Sequence, residues 1–97
     1  MQEENNWSSI EKEQVGILQF PKEDVLGDKE SKANREVSLK RATSAGNLEK
    51  VKFKIYFEDG MGKKVVHTTI WATTEENILL KNNVAIPIRR IYNVDIG

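Results

Sequence analysis

The segment 51–58 alternates strictly between apolar and polar side chains, and this is the strongest structural signal in the chain. Its odd positions are Val, Phe, Ile and Phe, and its even positions are Lys, Lys, Tyr and Glu. Successive side chains of a β-strand point to opposite faces of a sheet, so the pattern is typical of a strand with one buried face. The chain is therefore expected to fold around a sheet with one solvated side.

Similar periodicity continues toward the C terminus and predicts four more strands. After a glycine-containing turn at 59–62 they are expected at 63–74, at 77–81, around Val84, Ile86 and Ile88, and at 92–96. Pro87 marks an edge or a strand end because it has no backbone N–H to donate. The segment 88–91 is predicted to form a single tight turn, of 3₁₀ type, before the last short strand.

Five strands with short connections predict a mainly β fold. Short strands joined through a 3₁₀ turn close small SH3-like and Sm-like barrels, so the expected architecture is a five-stranded meander barrel or a strongly bent sheet. An open sheet with a helix packed on one face is the alternative. The helix is predicted at 37–46, where Leu39, Ala42 and Ala45 recur every three residues and Gly46 supplies a stop.

The charge of the chain divides it into two parts. Its fifteen basic and fifteen acidic residues cancel, but residues 1–30 carry a formal charge of −5 and residues 31–97 one of +5. Residues 1–36 are predicted to be an acidic, flexible arm, and residues 37–97 a small β-barrel domain led by the short helix. Large apolar side chains such as Trp7 and Phe20 leave two roles open for the arm: packing back onto the barrel, or docking on a partner.

Three segments carry a resemblance to other proteins. They are Thr-Thr-Ile-Trp-Ala-Thr-Thr at 68–74, Ile-Leu-Leu-Lys at 78–81 and Ile-Pro-Ile-Arg-Arg-Ile at 86–91. Together with the helix segment that ends at Gly46-Asn47, they resemble small single-domain bacterial proteins of unknown function. The resemblance spans roughly residues 39–96 and implies no activity. The similarity to Sm-like barrels is topological only.

The residues needed for catalysis are scarce in this sequence. There is no cysteine, so disulfides, thiolate nucleophiles and cysteine metal sites are excluded. His67 is the only histidine, and no phosphate-binding loop motif is present. The chain is therefore predicted to be non-enzymatic, without catalytic, cofactor-binding or metal-binding residues and without a cofactor. With neither a secretory signal nor an apolar run of roughly 20 residues, it is expected to be cytoplasmic and not membrane-bound.

Two surfaces are candidates for binding. The first is an interaction surface for a partner protein or a second copy of the chain, predicted at Tyr56, Val65, His67 and Trp71. The alternative for Trp71 is a purely structural role, in which the helix or the arm covers it. The second is a basic and aromatic surface for RNA or single-stranded nucleic acid, predicted at Lys52, Lys54, Tyr56, Arg89 and Arg90. A protein-interaction or structural module is the leading prediction, and nucleic-acid binding is the alternative.

Overall fold

The computed structural model describes residues 7–96, and within this range seven strands form two sheets beside one long helix. The helices are α1 (Lys12–Val15) and α2 (Lys29–Glu49), with 3₁₀ turns at Lys81–Asn83 and Ile88–Arg90. The strands are β1 (Ser8–Ile10), β2 (Phe53–Asp59), β3 (Gly62–Thr68), β4 (Ile70–Thr73), β5 (Asn77–Leu80), β6 (Val84–Pro87) and β7 (Ile91–Ile96). The mainly β prediction and the 3₁₀ turn predicted after Pro87 are confirmed.

The first sheet has the strand order β1-β3-β2-β7 and supplies much of the core. Its central pair, β2 and β3, is antiparallel, with Ile55 opposite Val66. The alternation seen in the sequence is realised here, because Phe53, Ile55 and Phe57 are buried whereas Lys52 and Lys54 are exposed. β1 adds a short parallel strand along β3, and β7 pairs antiparallel with β2.

The second sheet has the order β4-β5-β6 and follows directly from the first. β3 ends at Thr68 and β4 begins at Ile70, so the single strand predicted at 63–74 is divided at Thr69. The two sheets enclose buried side chains from both, with Ile70, Ile78 and Ile86 facing the interior.

The predicted closed barrel of five strands is not found. In the described part of the chain, the first sheet ends at β1 and β7 and the second at β4 and β6, with no pairing that joins them. One reason is the parallel strand contributed by the N-terminal segment, which occupies the edge of β3. The other is the break at Thr69, which turns the chain into a separate sheet.

The helix α2 is longer than the predicted segment 37–46 at both ends. It begins after Asp28, whose carboxylate accepts a hydrogen bond from the Ser31 N–H at 2.9 Å and caps the first turn. At the other end it passes through Gly46 and stops at Lys50, which adopts the left-handed conformation. No helix within residues 7–96 has the length and apolar character needed to span a membrane.

Gly46 marks a close approach between α2 and β4. A Cβ atom at this position would lie 2.5 Å from the Ile70 carbonyl oxygen and 2.9 Å from the Thr69 side chain. The sequence predicts Gly46 as a helix stop, whereas in the structure the helix continues past Gly46 and this residue lets α2 and β4 pack closely.

The boundary predicted between residues 36 and 37 falls inside α2, and the segment ahead of it packs on the sheets. Val15 is fully buried in the core, and Leu18 and Phe20 pack against it. The Gly60 N–H donates to the Gln19 carbonyl at 2.8 Å, which ties this segment to the β2–β3 turn. The described part of the predicted arm is thus a component of the fold. Residues 1–6 of that arm lie outside the described residues.

Candidate binding cleft

The structure divides the predicted interaction surface between two places. Tyr56 and Val65 are cross-strand neighbours on the outer face of the first sheet. His67 lies further along β3, and Trp71 lies on β4 in the second sheet. His67 and Trp71 line the same cleft, whereas Tyr56 belongs to a separate aromatic cluster.

That cluster is covered by the N-terminal segment. The Trp7 ring meets Tyr56 edge-on at a centroid distance of 5.1 Å and Tyr92 at 5.3 Å. The Lys63 ammonium lies 5.4 Å from the Trp7 ring and 5.6 Å from the Tyr92 ring, within cation–π range. The Tyr92 hydroxyl donates to the Glu58 carboxylate. We call these five residues the closed aromatic face, because they contact one another. Tyr56 also lines a groove between α2 and β7.

The environment of Tyr92 changes its acidity. Burial, followed by the hydrogen bond to Glu58 and the charge of that carboxylate, raises the pKa of Tyr92 to about 12. Each of these causes disfavours the phenolate. Tyr92 is also the extra residue of a β-bulge, since Tyr56 pairs with Asn93 and Phe57 with Ile91.

The two arginines predicted as nucleic-acid contacts bind the chain itself. Arg90 is 7% exposed, and its guanidinium donates to the carbonyls of Glu58 at 2.9 Å and Glu23 at 2.8 Å. Arg89 donates to the Pro21 carbonyl at 3.0 Å. These hydrogen bonds hold the segment around residues 21–23 against the β-sheets.

A third arginine, Arg35, was not predicted by the sequence analysis to have a role. It is buried in α2 and donates to both carboxylate oxygens of Asp24, at 2.9 and 2.8 Å, and to the Ile91 carbonyl. Burial alone would raise the pKa of Asp24, but the hydrogen bonds from Arg35 and from the Leu26 N–H bring it below its usual value. No local motif marks this pair, because its partners are eleven residues apart in a polar segment.

The cleft that contains His67 and Trp71 is strongly basic. It has a volume of about 470 Å³ and is lined from five parts of the chain by Ser9, Ile10, Glu11, Lys12, Lys50, Lys52, His67, Thr68, Thr69, Trp71 and Lys81. We call it the lysine cleft, after its four lysines. Glu11 is the single carboxylate of the lining, so the formal charge of the cleft is +3 with neutral histidine.

Two features of the backbone form this cleft. β1 ends at Ile10, opposite Val66, whereas β3 continues to Thr68 and leaves a gap beside its last residues. On the other side, the close packing at Gly46 brings the end of α2 to β4, so that Lys50 and Trp71 share the cleft.

Trp71 is the exposed aromatic group of the cleft. Ile70 pairs with Leu80 and Ala72 with Leu79, so Trp71 is the additional residue of a β-bulge. Bulges redirect a side chain relative to its neighbours and are common beside functional sites. The Trp71 side chain is 52% exposed, and neither α2 nor the N-terminal segment covers it fully.

The lysines of the cleft are largely free of ionic partners. Lys12 forms an ion pair with Glu13 at 3.4 Å. Lys50, Lys52 and Lys81 form no ion pair within residues 7–96. Since the four lysines of the lining outnumber its one carboxylate, the cleft has a net positive charge that favours an anionic ligand.

Sequence reasoning selected three of the cleft residues but assigned them to different surfaces. Lys52 was predicted to contact nucleic acid, and His67 and Trp71 to contact protein. Lys12, Lys50 and Lys81 were missed because they come from α1, the end of α2 and a 3₁₀ turn, which only the tertiary fold brings together. Lys54 and Tyr56, the two predicted nucleic-acid contacts that lie on β2, line a separate groove between α2 and β7.

A larger cavity of about 650 Å³ lies between α2 and the end of β4. Its lining combines basic and acidic side chains, and one of its lysines, Lys40, is paired with Glu36 at 3.2 Å. It contains no aromatic side chain. The lysine cleft is therefore the better candidate, because it combines uncompensated charge with an exposed indole. Within the described residues, no cluster of three or more histidine or carboxylate side chains is suited to hold a metal ion.

Comparisons of the chain with protein-family models, with curated proteins and with solved structures found no match. The resemblance of the 68–91 pattern to small bacterial proteins accordingly stays a prediction.

Proposed function

We propose that this chain is a non-enzymatic protein-interaction module that binds its partner through the lysine cleft. The observation that carries the proposal is the position of Trp71, half exposed on a bulge at the edge of a basic cleft. Tryptophan is enriched among the residues that dominate the binding energy of protein interfaces. A Trp that the fold leaves uncovered is therefore the natural anchor for a partner.

The composition of the cleft supports binding over catalysis. It holds one imidazole, from His67, and one carboxylate, from Glu11. General acid–base catalysis uses side chains that are positioned against the substrate in a site closed to water. Both of these side chains are exposed to solvent, which favours a binding role.

The test is a comparison of proteins captured from the native cell by the wild-type chain and by two variants. Trp71→Ala removes the proposed anchor, while Met61→Ala removes an apolar side chain that is 88% exposed in the β2–β3 turn, away from the cleft. Partners that bind at the cleft are lost with Trp71→Ala and kept with Met61→Ala. Partners retained equally by both variants would contradict the proposal. Sedimentation of the same proteins shows whether the partner is a second copy of the chain.

Single-stranded nucleic acid is a second candidate, favoured by one observation. Lysines and an exposed indole lie together in the cleft, and such proteins hold phosphates with basic groups and stack bases on aromatic rings. A labelled single-stranded oligonucleotide titrated at low salt tests it. Binding that weakens steeply with salt and requires Trp71 would favour this candidate, and absence of binding would eliminate it.

A further inference from the structure

We infer that the ligand of the lysine cleft is an acidic polypeptide segment bound in extended conformation, with one apolar side chain placed on Trp71. This inference rests on the proposed function and specifies the chemistry of the partner. It follows from three separate observations: the charge of the cleft, the edge of β3 that it exposes, and the backbone conformation of Lys50.

The charge defines the ligand as an anion. Three of the four lysines in the cleft have no carboxylate partner within residues 7–96, and the lone acidic group of the lining is Glu11. Complementary charge accelerates encounter and disfavours partners of like charge. Aspartate and glutamate side chains on a partner would supply the missing negative charge.

The unpaired end of β3 defines the backbone of the ligand as extended. Because β1 stops opposite Val66, His67 and Thr68 have no strand beside them on that side in the described range. Thr68 is buried and α1 packs close to β3, so the accessible part of this edge is short and centred on the exposed His67. An extended peptide adds to such an edge through main-chain hydrogen bonds, and its alternate side chains then reach neighbouring groups. Acidic side chains on one side of that peptide would face the lysines.

The backbone of Lys50 gives a third, independent indication. Its φ of 59° and ψ of 33° place it in the left-handed region at the end of α2. Glycine and asparagine are the residues usually found there, because a Cβ atom makes this conformation less favourable. A lysine at this position costs the fold stability relative to glycine, which is consistent with a role for its ammonium group in the cleft.

The same structure argues against nucleic acid as the main ligand. Single strands are held by successive aromatic platforms along a basic groove, and Trp71 is the one aromatic residue of the cleft lining. The other aromatic residue proposed for stacking, Tyr56, makes an edge contact with Trp7 on the closed aromatic face. A peptide needs a single apolar anchor, which matches what the cleft offers.

The experiment measures the binding of a fluorescein-labelled glutamate-rich peptide with one central phenylalanine to the full chain. A peptide of the same sequence with glutamine in place of glutamate is the control for charge. We expect the acidic peptide to bind and its affinity to fall as salt increases, and the glutamine peptide to bind at least tenfold more weakly.

Three variants locate the site. Lys50→Gly removes a cleft ammonium and relieves the left-handed lysine, so it should weaken the acidic peptide about threefold while raising the melting temperature. Lys52→Ala should weaken it by a similar factor. Lys22→Ala is the matched control, because Lys22 is exposed and lies outside the cleft, and it should leave the affinity unchanged.

The outcomes separate this inference from the proposed function. Equal binding of the acidic and glutamine peptides, or equal losses from Lys52→Ala and Lys22→Ala, would overturn the acidic ligand. If partners dependent on Trp71 are still captured in that case, the proposed function stands and only the ligand chemistry fails. A single-stranded oligonucleotide that binds more tightly than the acidic peptide, through the same lysines, would also overturn it.

Discussion

The closed aromatic face and the lysine cleft contain similar residues, but those of the face contact one another whereas those of the cleft are left exposed. Each has a tryptophan, at least one lysine and an aromatic residue on a β-bulge. On the closed face, Trp7 lies between Tyr56 and Tyr92, and the Lys63 ammonium lies over the rings. The aromatic and cationic groups of this face therefore interact with one another. In the cleft, Trp71 is 52% exposed and three lysines lack an ion-pair partner in the described chain.

The difference arises from where the N-terminal segment runs. Trp7 precedes β1, which pairs with β3 from Lys64 to Val66 and so carries the indole over the closed face. The pairing ends at Ile10, before the strand reaches His67. An aromatic and basic surface is therefore structural where this segment covers it, and stays available for binding where the pairing of the segment with β3 ends.

Removing the covering tryptophan should have the largest effect on stability. Trp7→Ala deletes two edge-to-face ring contacts and the apolar surface that Trp7 buries, which should lower the free energy of unfolding by about 3 kcal/mol. Urea denaturation followed by circular dichroism measures this. A loss below about 0.5 kcal/mol would mean that the closed aromatic face is not a structural unit.

The packing that forms one wall of the cleft should be the next most sensitive feature. Gly46→Ala places a methyl group 2.5 Å from the Ile70 carbonyl oxygen. Overpacking of this kind costs up to about 3 kcal/mol and alanine regains about 1 kcal/mol of helix propensity, so we expect a net loss of about 2 kcal/mol. Gly16→Ala is the control, because nothing lies within 4 Å of its added Cβ. Equal melting temperatures of the two variants would contradict the close approach of α2 to β4.

The pH dependence of Tyr92 tests the closed face without a large structural change. The folded-state pKa of Tyr92 is raised to about 12, above the ordinary tyrosine value near 10. The stability contributed by the neutral hydroxyl is therefore complete below about pH 10 and is lost as the pH rises toward 12. Phenolate absorbance should show this late titration, and Glu58→Gln should move it to lower pH. An ordinary titration in the wild type would show that the face is open to solvent.

Truncation of the exposed tryptophan should have the smallest effect on stability. Trp71→Ala is expected to lower the free energy of unfolding by about 1 kcal/mol, because half of the side chain is uncovered and only the other half contributes buried apolar area. Urea denaturation of Trp71→Ala and Trp7→Ala under the same conditions compares the two losses of unfolding free energy directly. A loss of unfolding free energy as large as that of Trp7→Ala would show that Trp71 is part of the folded core. The distinction between the two surfaces would then fail.

Much of the strand pattern was predictable from periodicity, whereas the layout of the sheets was not. The alternation at 51–58 and the buried side of β3 follow from local side-chain order. The parallel pairing of β1 with β3 joins residues more than fifty positions apart and has no local signal. The early start of α2 was missed because its first two turns are polar, and their stability depends on the Asp28 cap and the buried Arg35.

The candidate site was predictable only in part, for a related reason. The outward position expected for Trp71 agrees with its exposure, although the bulge at Trp71 interrupts the alternation on which that expectation rested. Its grouping with Lys12, Lys50 and Lys81 depends on four separate elements meeting at one cleft. Arg90, which the sequence analysis placed among nucleic-acid contacts, is held inside by two backbone carbonyls that no sequence motif reveals.

The two tryptophans of the chain allow one direct test of the central claim, that the cleft binds and the closed face does not. Each indole N–H gives its own signal in a proton–nitrogen correlation spectrum, so titration with the glutamate-rich peptide reports on both surfaces at once. We predict that the Trp71 indole signal shifts together with the amides of Lys50 and Lys52, while the Trp7 signal stays in place. A shift of Trp7 with no change at Trp71 would contradict the account.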